Sequence, residues 1–222
     1  MEDFRLENID PEEIGYLLVE VQKSFNIKFK DGELNGIENF GELCDHINNK
    51  IDLGNADDCT SQQAFYKLRH AFSTTLKIDN QEITRYRKLE DLFPKPTRRS
   101  KVKILEQHLG MNLKTLTSPA WVILTLLALS LLSLLCFFYS WKLALSGISL
   151  SIVGFWIADL TANELNPENI EQLVKQMTRE NYLKSRRNPE TFNRKEVELV
   201  LTDWFSDKFA LERTELTGAS KF

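Results

Sequence analysis

Several features that usually mark a centre of chemistry are missing from this chain. It has three cysteines, Cys44, Cys59 and Cys136, and their spacing suits neither a metal site nor a disulfide framework, which fits a reducing compartment. The three histidines, His46, His70 and His108, stand apart in the sequence and read as surface or boundary residues rather than ligands. There is no glycine-rich phosphate loop, no His/Asp/Glu cluster with metal spacing, and no Ser–His or Cys–His pair in a supporting context. No catalytic residue and no metal ligand is therefore assigned, and the chain reads as a non-enzyme. The 28 basic and 32 acidic residues leave no net basic field, which argues against a nucleic-acid partner. The start, MEDFRLENID, is acidic and has no apolar core, so it does not read as a signal peptide.

Long apolar runs, by contrast, are present. Ala120 to Tyr139 is an uncharged run of 20 residues. At 1.5 Å per residue it spans roughly 30 Å, the thickness of a bilayer's hydrocarbon core. Ser118 and Pro119 suit the N-cap and first helical positions. A second run, Leu143 to Ala158, is flanked by Trp141 and Trp156 and reaches a full span if Lys142 snorkels to the interface. Only Ser140, Trp141 and Lys142 remain for the turn, so residues 119–161 read as an antiparallel transmembrane hairpin. Ala144, Gly147, Ser151, Gly154 and Ala158 form one stripe of small residues, which lets a neighbouring backbone approach closely. Lys95, Arg98, Arg99, Lys101, Lys103 and Lys114 precede the first span, whereas the turn holds only Lys142. The positive-inside rule then gives a two-pass protein of the cytoplasmic (inner) membrane with both termini cytoplasmic. The KPTRRSKVK segment is of a type that also binds nucleic acid or phosphorylated partners; beside a span, contact with anionic lipid is the reading taken.

The soluble part shows helical periodicity and no convincing strand pairing, so the fold class is all-α. Asp10-Pro11, with Glu13 completing a capping box, opens a helix carrying Ile14, Leu17, Leu18, Val21 and Phe25. A second helix starts near Asn39. Thr60 or Ser61 caps a third, and Thr97 a fourth with Val102, Leu105 and Leu109 on one face. Asn166-Pro167 starts a helix with Ile170, Leu173, Val174 and Met177; Asn193 and Glu196 form a second capping-box pattern before Val197, Leu201 and Phe205.

The chain also resembles itself. FSTTLKIDNQEITRYRKL (Phe72–Leu89) aligns without a gap on FSDKFALERTELTGASKF (Phe205–Phe222), VQKSFNIKF (from Val21) on LEQHLGMNL (from Leu105), and FGELCDHI (from Phe40) on IEQLVKQM (from Ile170). Two copies of one helical unit follow. One comprises residues 60–116 and 163–187, with the hairpin inserted before its last helix. The other is cut: residues 1–52 supply its later helices and residues 190–222 its first. Between Leu113 and Ile170 there are 46 more residues than between Phe29 and Phe40, which is the hairpin and its flanks. The cut copy either closes within one chain, as in a circular permutation, or closes the next chain in an end-to-end swapped assembly.

On these segments the unit resembles the acyl carrier protein family. VELVLTDWFSDKFALERTELTGASKF looks like that family's first helix and long loop, and NIDPEEIGYLLVEVQKSFNIKFKDGELNGIENFGELCDHI like its signature region, second helix and final helices. LEDLFP looks like the end of the loop in the other copy. The resemblance covers nearly all the soluble sequence and implies two small acyl-carrier-like helical bundles. In that family an Asp-Ser-Leu serine carries 4′-phosphopantetheine. Here the position after Asp10 is Pro11, which has no hydroxyl, and in the other copy it falls at Lys95 or Pro96, near Thr97 and Ser100. No phosphopantetheine and no other cofactor is expected.

The resemblance implies a membrane-anchored carrier-like module that docks or scaffolds enzymes of lipid or acyl chains, with membrane lipid and a protein as partners. Two alternatives stay open: a working acyl carrier using a non-standard serine, and a structural membrane protein that oligomerises through the Ala144–Ala158 stripe.

Overall fold

The computed structural model of the chain describes residues 9–214 and 216–222. The acidic start MEDFRLEN lies outside the described residues. The chain is mostly helical, and two of its helices are long and apolar enough to cross a membrane.

Helix α1 (Pro11–Phe25) begins where Asp10 accepts the Glu12 N–H at 2.9 Å and Pro11 sets the backbone angle. Glu13 does not reach back, so the capping box is half formed: a direct Asp10 bond already satisfies the first turn. Leu17, Val21 and Phe25 point inward, and Asn26, in the left-handed region at φ 52°, ends the helix. Helix α2 (Phe40–Lys50) starts from Asn39, whose side chain accepts the Glu42 N–H at 2.9 Å. Helix α3 (Thr60–Leu76) has no side-chain cap of its own; neither Thr60 nor Ser61 fills that role, and a carboxylate from a distant helix does so instead, as described below. After a loop and the one-turn α4 (Leu89–Leu92) comes α5 (Arg98–Leu109), where Thr97 makes no capping bond. Gly110, at φ 66°, ends it.

The apolar hairpin consists of α6 (Ala120–Leu135), a 3-10 turn (Cys136–Phe138) and α7 (Trp141–Thr161). The Ser118 hydroxyl does not cap α6; it donates to the Ala158 carbonyl at 2.7 Å and ties the two ends of the hairpin. Next come α8 (Ile170–Glu180), α9 (Tyr182–Ser185) and α10 (Arg194–Phe209). Helix α8 opens at Ile170 rather than at Pro167, because the Asn169 side chain takes the Gln172 N–H at 2.9 Å.

Two short ladders correct the expectation of no strand pairing. β1 (Gly54–Asn55) pairs in parallel with β4 (Thr191–Phe192), and β2 (Leu116–Thr117) pairs antiparallel with β3 (Glu164–Leu165). Each is two residues long, too short for an alternating pattern to reveal. The β2–β3 pair forms the neck from which the hairpin leaves the soluble part.

Two separate cores organise the soluble residues. The first gathers Leu17, Val21 and Phe25 of α1, Phe40, Leu43 and Ile47 of α2, and Val197, Leu201 and Phe205 of α10. The two ends of the chain are thus closed against each other. The second core gathers Leu68 and Phe72 of α3, Val102 and Leu105 of α5, and Ile170, Leu173 and Met177 of α8, with Leu89 and Phe93 from the connecting segment. Tyr182 packs into the first core, its ring centroid 4.8 Å from that of Phe25. In the first core Phe40 N–H donates to Ser220 O, Gly41 N–H to Gly218 O and Phe222 N–H to Glu38 O. In the second, Ile170 N–H donates to Arg87 O, Glu171 N–H to Arg85 O and Leu89 N–H to Glu168 O.

Candidate functional site

The start of α1 borders an apolar cavity of about 420 Å³, lined by Ile9, Pro11, Ile14, Leu18, Leu34, Ile37, Leu43 and Phe222. Ile14 and Leu18, four residues apart, share the helix face toward it. Leu34 and Ile37 come from the loop between α1 and α2, which Glu33 holds in place. The Glu33 carboxylate accepts the Lys30 N–H at 2.6 Å, lies 2.9 Å from His46 Nε2 and pairs with the Lys50 ammonium. The Lys30 amide, followed by Lys50, pulls its pKa down to about 2. The Phe29 ring lies 5.7 Å beneath the Lys50 ammonium, so both residues of α2 that hold Glu33 are themselves packed. Phe222 reaches the cavity on the backbone bonds that join the C-terminal segment to Glu38 and Phe40. The cavity is lined by apolar side chains and Pro11, and none of these lining side chains is a nucleophile.

The start of α5 is built differently. Arg98 is buried, with Nε donating to the Phe93 carbonyl at 2.9 Å and Nη1 to the Asn163 carbonyl at 2.6 Å. The Arg99 guanidinium donates to the Leu160 carbonyl, in the last turn of α7, and the Asn163 amide donates to the Lys95 carbonyl at 3.2 Å. Here the space at the helix start is taken by the chain leaving the hairpin. Arg98 therefore does not belong among the exposed cations of the juxtamembrane segment; the charge presented outward comes from Lys95, Arg99 and Lys103. The Ser100 hydroxyl donates to the Thr97 carbonyl at 2.8 Å and remains exposed.

Within the hairpin the small-residue stripe is already occupied. Ala144, Ser151 and Ala158 are buried. A Cβ on Gly147 would lie 2.8 Å from Ser133 Cβ, and one on Gly154 would lie 2.5 Å from Leu126 Cδ2. These contacts run antiparallel and set α6 on α7, so the stripe packs within the hairpin of one chain. The outward side chains are large and apolar: Leu131, Leu150 and Trp156 are each more than 60% exposed. So large an exposed apolar surface is rare on a soluble monomer, and it lies on the two helices long and apolar enough to cross a membrane.

Two clusters escaped the sequence reading. His70 and His108, far apart in sequence, stack with ring centroids 6.2 Å apart. Arg186, in the segment that follows α9, is 1% exposed and lies under the ring of Tyr182. It donates to Thr60 Oγ1 at 2.6 Å and to the carbonyls of Asp58 and Ala56, each at 3.2 Å. No periodicity signals either; both depend on how α3 meets α5 and α9. Among the described residues no group of three or more His, Cys, Asp or Glu side chains is placed to hold a metal. Cys44 is buried, and desolvation followed by the charges of Glu198 and Asp45 pushes its thiol up to about 12, which removes it as a nucleophile.

No family model, curated protein or solved structure matches the chain.

Proposed function

We propose that the protein is a membrane-anchored, acyl-carrier-like module without carrier chemistry, which docks a lipid- or acyl-chain enzyme at the cytoplasmic face of the inner membrane. In this reading the two cores are two copies of one carrier-like unit. The hairpin is an insertion in the copy of residues 60–116 and 163–187, and both termini lie on the cytoplasmic side. The juxtamembrane cations Lys95, Arg99 and Lys103 contact anionic headgroups.

What supports two copies is the correspondence of the backbone bonds. Under the alignment of Phe72–Leu89 with Phe205–Phe222, and of Phe40 with Ile170, the three bonds of one core fall on the three bonds of the other. Four of the six left-handed residues correspond as well: Asn26 with Gly110, and Lys77 with Ala210. So do two further bonds, Phe29 N–H to the Gln22 side chain at 2.7 Å and Leu113 N–H to the Glu106 side chain at 2.8 Å.

The observation that carries the division of labour is the contrast between the two helix starts. The start of α5 is filled by the hairpin's exit and serves anchoring, while the start of α1 stays open onto an apolar cavity and serves a ligand or partner. Capture of the full chain from membranes, followed by lipid and protein mass spectrometry, tests this. An acyl lipid or acyl-chain enzyme that is recovered with the protein and lost with Leu18→Asp supports the reading. Recovery of neither, or recovery unchanged by Leu18→Asp in a folded variant, would overturn it.

A further inference from the structure

A second cavity, of about 480 Å³, lies against α3 and the end of α5, and it differs in kind from the first. Gln63, Lys67 and His70 face it from α3, at spacings that share one helix face. His108 comes from the last turn of α5 and Arg187 from the chain after α9. The Arg187 N–H donates to Gln63 Oε1 at 2.6 Å, which fixes the loop to the helix. Lys67 Nζ donates to the Lys184 carbonyl at 2.6 Å, and Lys184 Nζ to the Gly110 carbonyl at 3.2 Å. The ammonium groups thus meet only backbone oxygens, and among the described residues no carboxylate lines the cavity. Partial burial without a counter-charge holds the Lys67 pKa below the ordinary lysine value. The stacked imidazoles add two groups that can each donate a ring N–H to an oxyanion.

From this geometry we infer that the cavity binds a water-soluble, phosphate-bearing small molecule. Lys67, Arg187, His70 and His108 take the phosphate, and the organic part lies against Tyr66 and Leu109. The volume exceeds what a phosphate alone fills, and Tyr66 offers an exposed ring for the remainder. A headgroup of the bilayer is the wrong source. Near the start of α5, Arg99 bonds the last turn of α7, and His108 lies nine residues, about 14 Å, further along the helix. The inference is independent of the carrier reading.

The test uses the full chain in zwitterionic nanodiscs with 13C-labelled histidine, titrated with inorganic phosphate at constant ionic strength. Saturable shifts at His70 and His108 but not at His46, weakened about tenfold by Lys67→Gln or Arg187→Gln, are the expected result. A wild-type far-UV circular dichroism spectrum and thermal midpoint in each variant report that the fold is retained. Absence of saturation, equal shifts with chloride, equal movement of His46, or indifference to both substitutions would overturn the proposal. So would shifts that require phosphatidylglycerol in the nanodisc.

Discussion

Glu196 caps a helix that is 136 residues away in sequence: both of its carboxylate oxygens lie 3.0 Å from the Thr60 nitrogen. A carboxylate at a helix N-terminus satisfies an otherwise orphaned amide and meets the positive end of the helix dipole. The bond joins α10, which belongs to the first core, to α3, which belongs to the second. Arg186 sits beside it, 4.0 Å from the same carboxylate, and gathers the linker carbonyls of Ala56 and Asp58.

Removing Arg186 takes the buried donor from those carbonyls and a nearby counter-charge from Glu196, which keeps its bonds to the Thr60 N–H. Arg186→Met is expected to destabilise the fold by about 2–4 kcal/mol, the usual effect of leaving several buried acceptors without their charged donor. Arg186→Lys is expected to recover little of this, because an ammonium lacks the planar fork that spans four acceptors, Ala56 O, Asp58 O, Thr60 Oγ1 and Thr191 Oγ1. Urea unfolding in micelles, followed by Trp204 fluorescence, measures both.

Glu33 gives a pH dependence of definite sign. Its carboxyl titrates at about 2 in the folded chain, below the ordinary value of 4.5. The stabilisation it contributes is therefore complete above about pH 4.5 and fades as the pH falls toward 2. The difference in urea midpoint between the wild type and Glu33→Gln is expected to shrink over that window. A difference that stays constant would show that the carboxylate does not hold the cavity loop.

The cysteines differ in reactivity. With its thiol raised to about 12 and its side chain buried, Cys44 is expected to resist maleimide at pH 8 until the protein is unfolded, whereas exposed Cys59 labels at once. Peptide mass mapping after brief labelling distinguishes them.

The stripe on α7 is expected to link helices within one chain. In a background without the native cysteines, Leu126→Cys with Gly154→Cys should crosslink at monomer mobility on a denaturing gel. A ladder of dimers would mean that the stripe serves association. Gly147→Leu is expected to splay the hairpin, since even a Cβ there meets Ser133.

How much of this was legible beforehand depends on the range of the interaction. Helix faces such as Leu17–Val21–Phe25 and Ile170–Leu173–Met177 follow from 3.6-residue periodicity, and the hairpin follows from uncharged length. Caps were less legible. Asn39 and Asn169 bind amides within their own turn, but the expected box at Asn193 fails because Glu196 is drawn to Thr60 across the molecule, while the Asn193 side chain accepts the Lys195 N–H and donates to the Asp58 carbonyl. Helix α8 begins three residues after Pro167 for a similar local reason, since Asn169 offers a cap and proline does not. The buried Arg186, the histidine stack and the occupied stripe are products of tertiary packing, and nothing within one turn of each residue encodes them. The apolar cavity is intermediate: Ile14 and Leu18 show on the helix pattern, but the wall of Leu34, Ile37 and Phe222 needs the two chain ends brought together.

The central claim is a carrier-like scaffold without carrier chemistry. Intact-mass measurement of the full chain, co-expressed with a broad-specificity phosphopantetheinyl transferase, tests it most directly. The account predicts an unmodified mass, because Pro11 has no hydroxyl and Ser100 lies outside an Asp-Ser-Leu setting. A phosphopantetheine adduct on Ser100, or on any other serine, would contradict it.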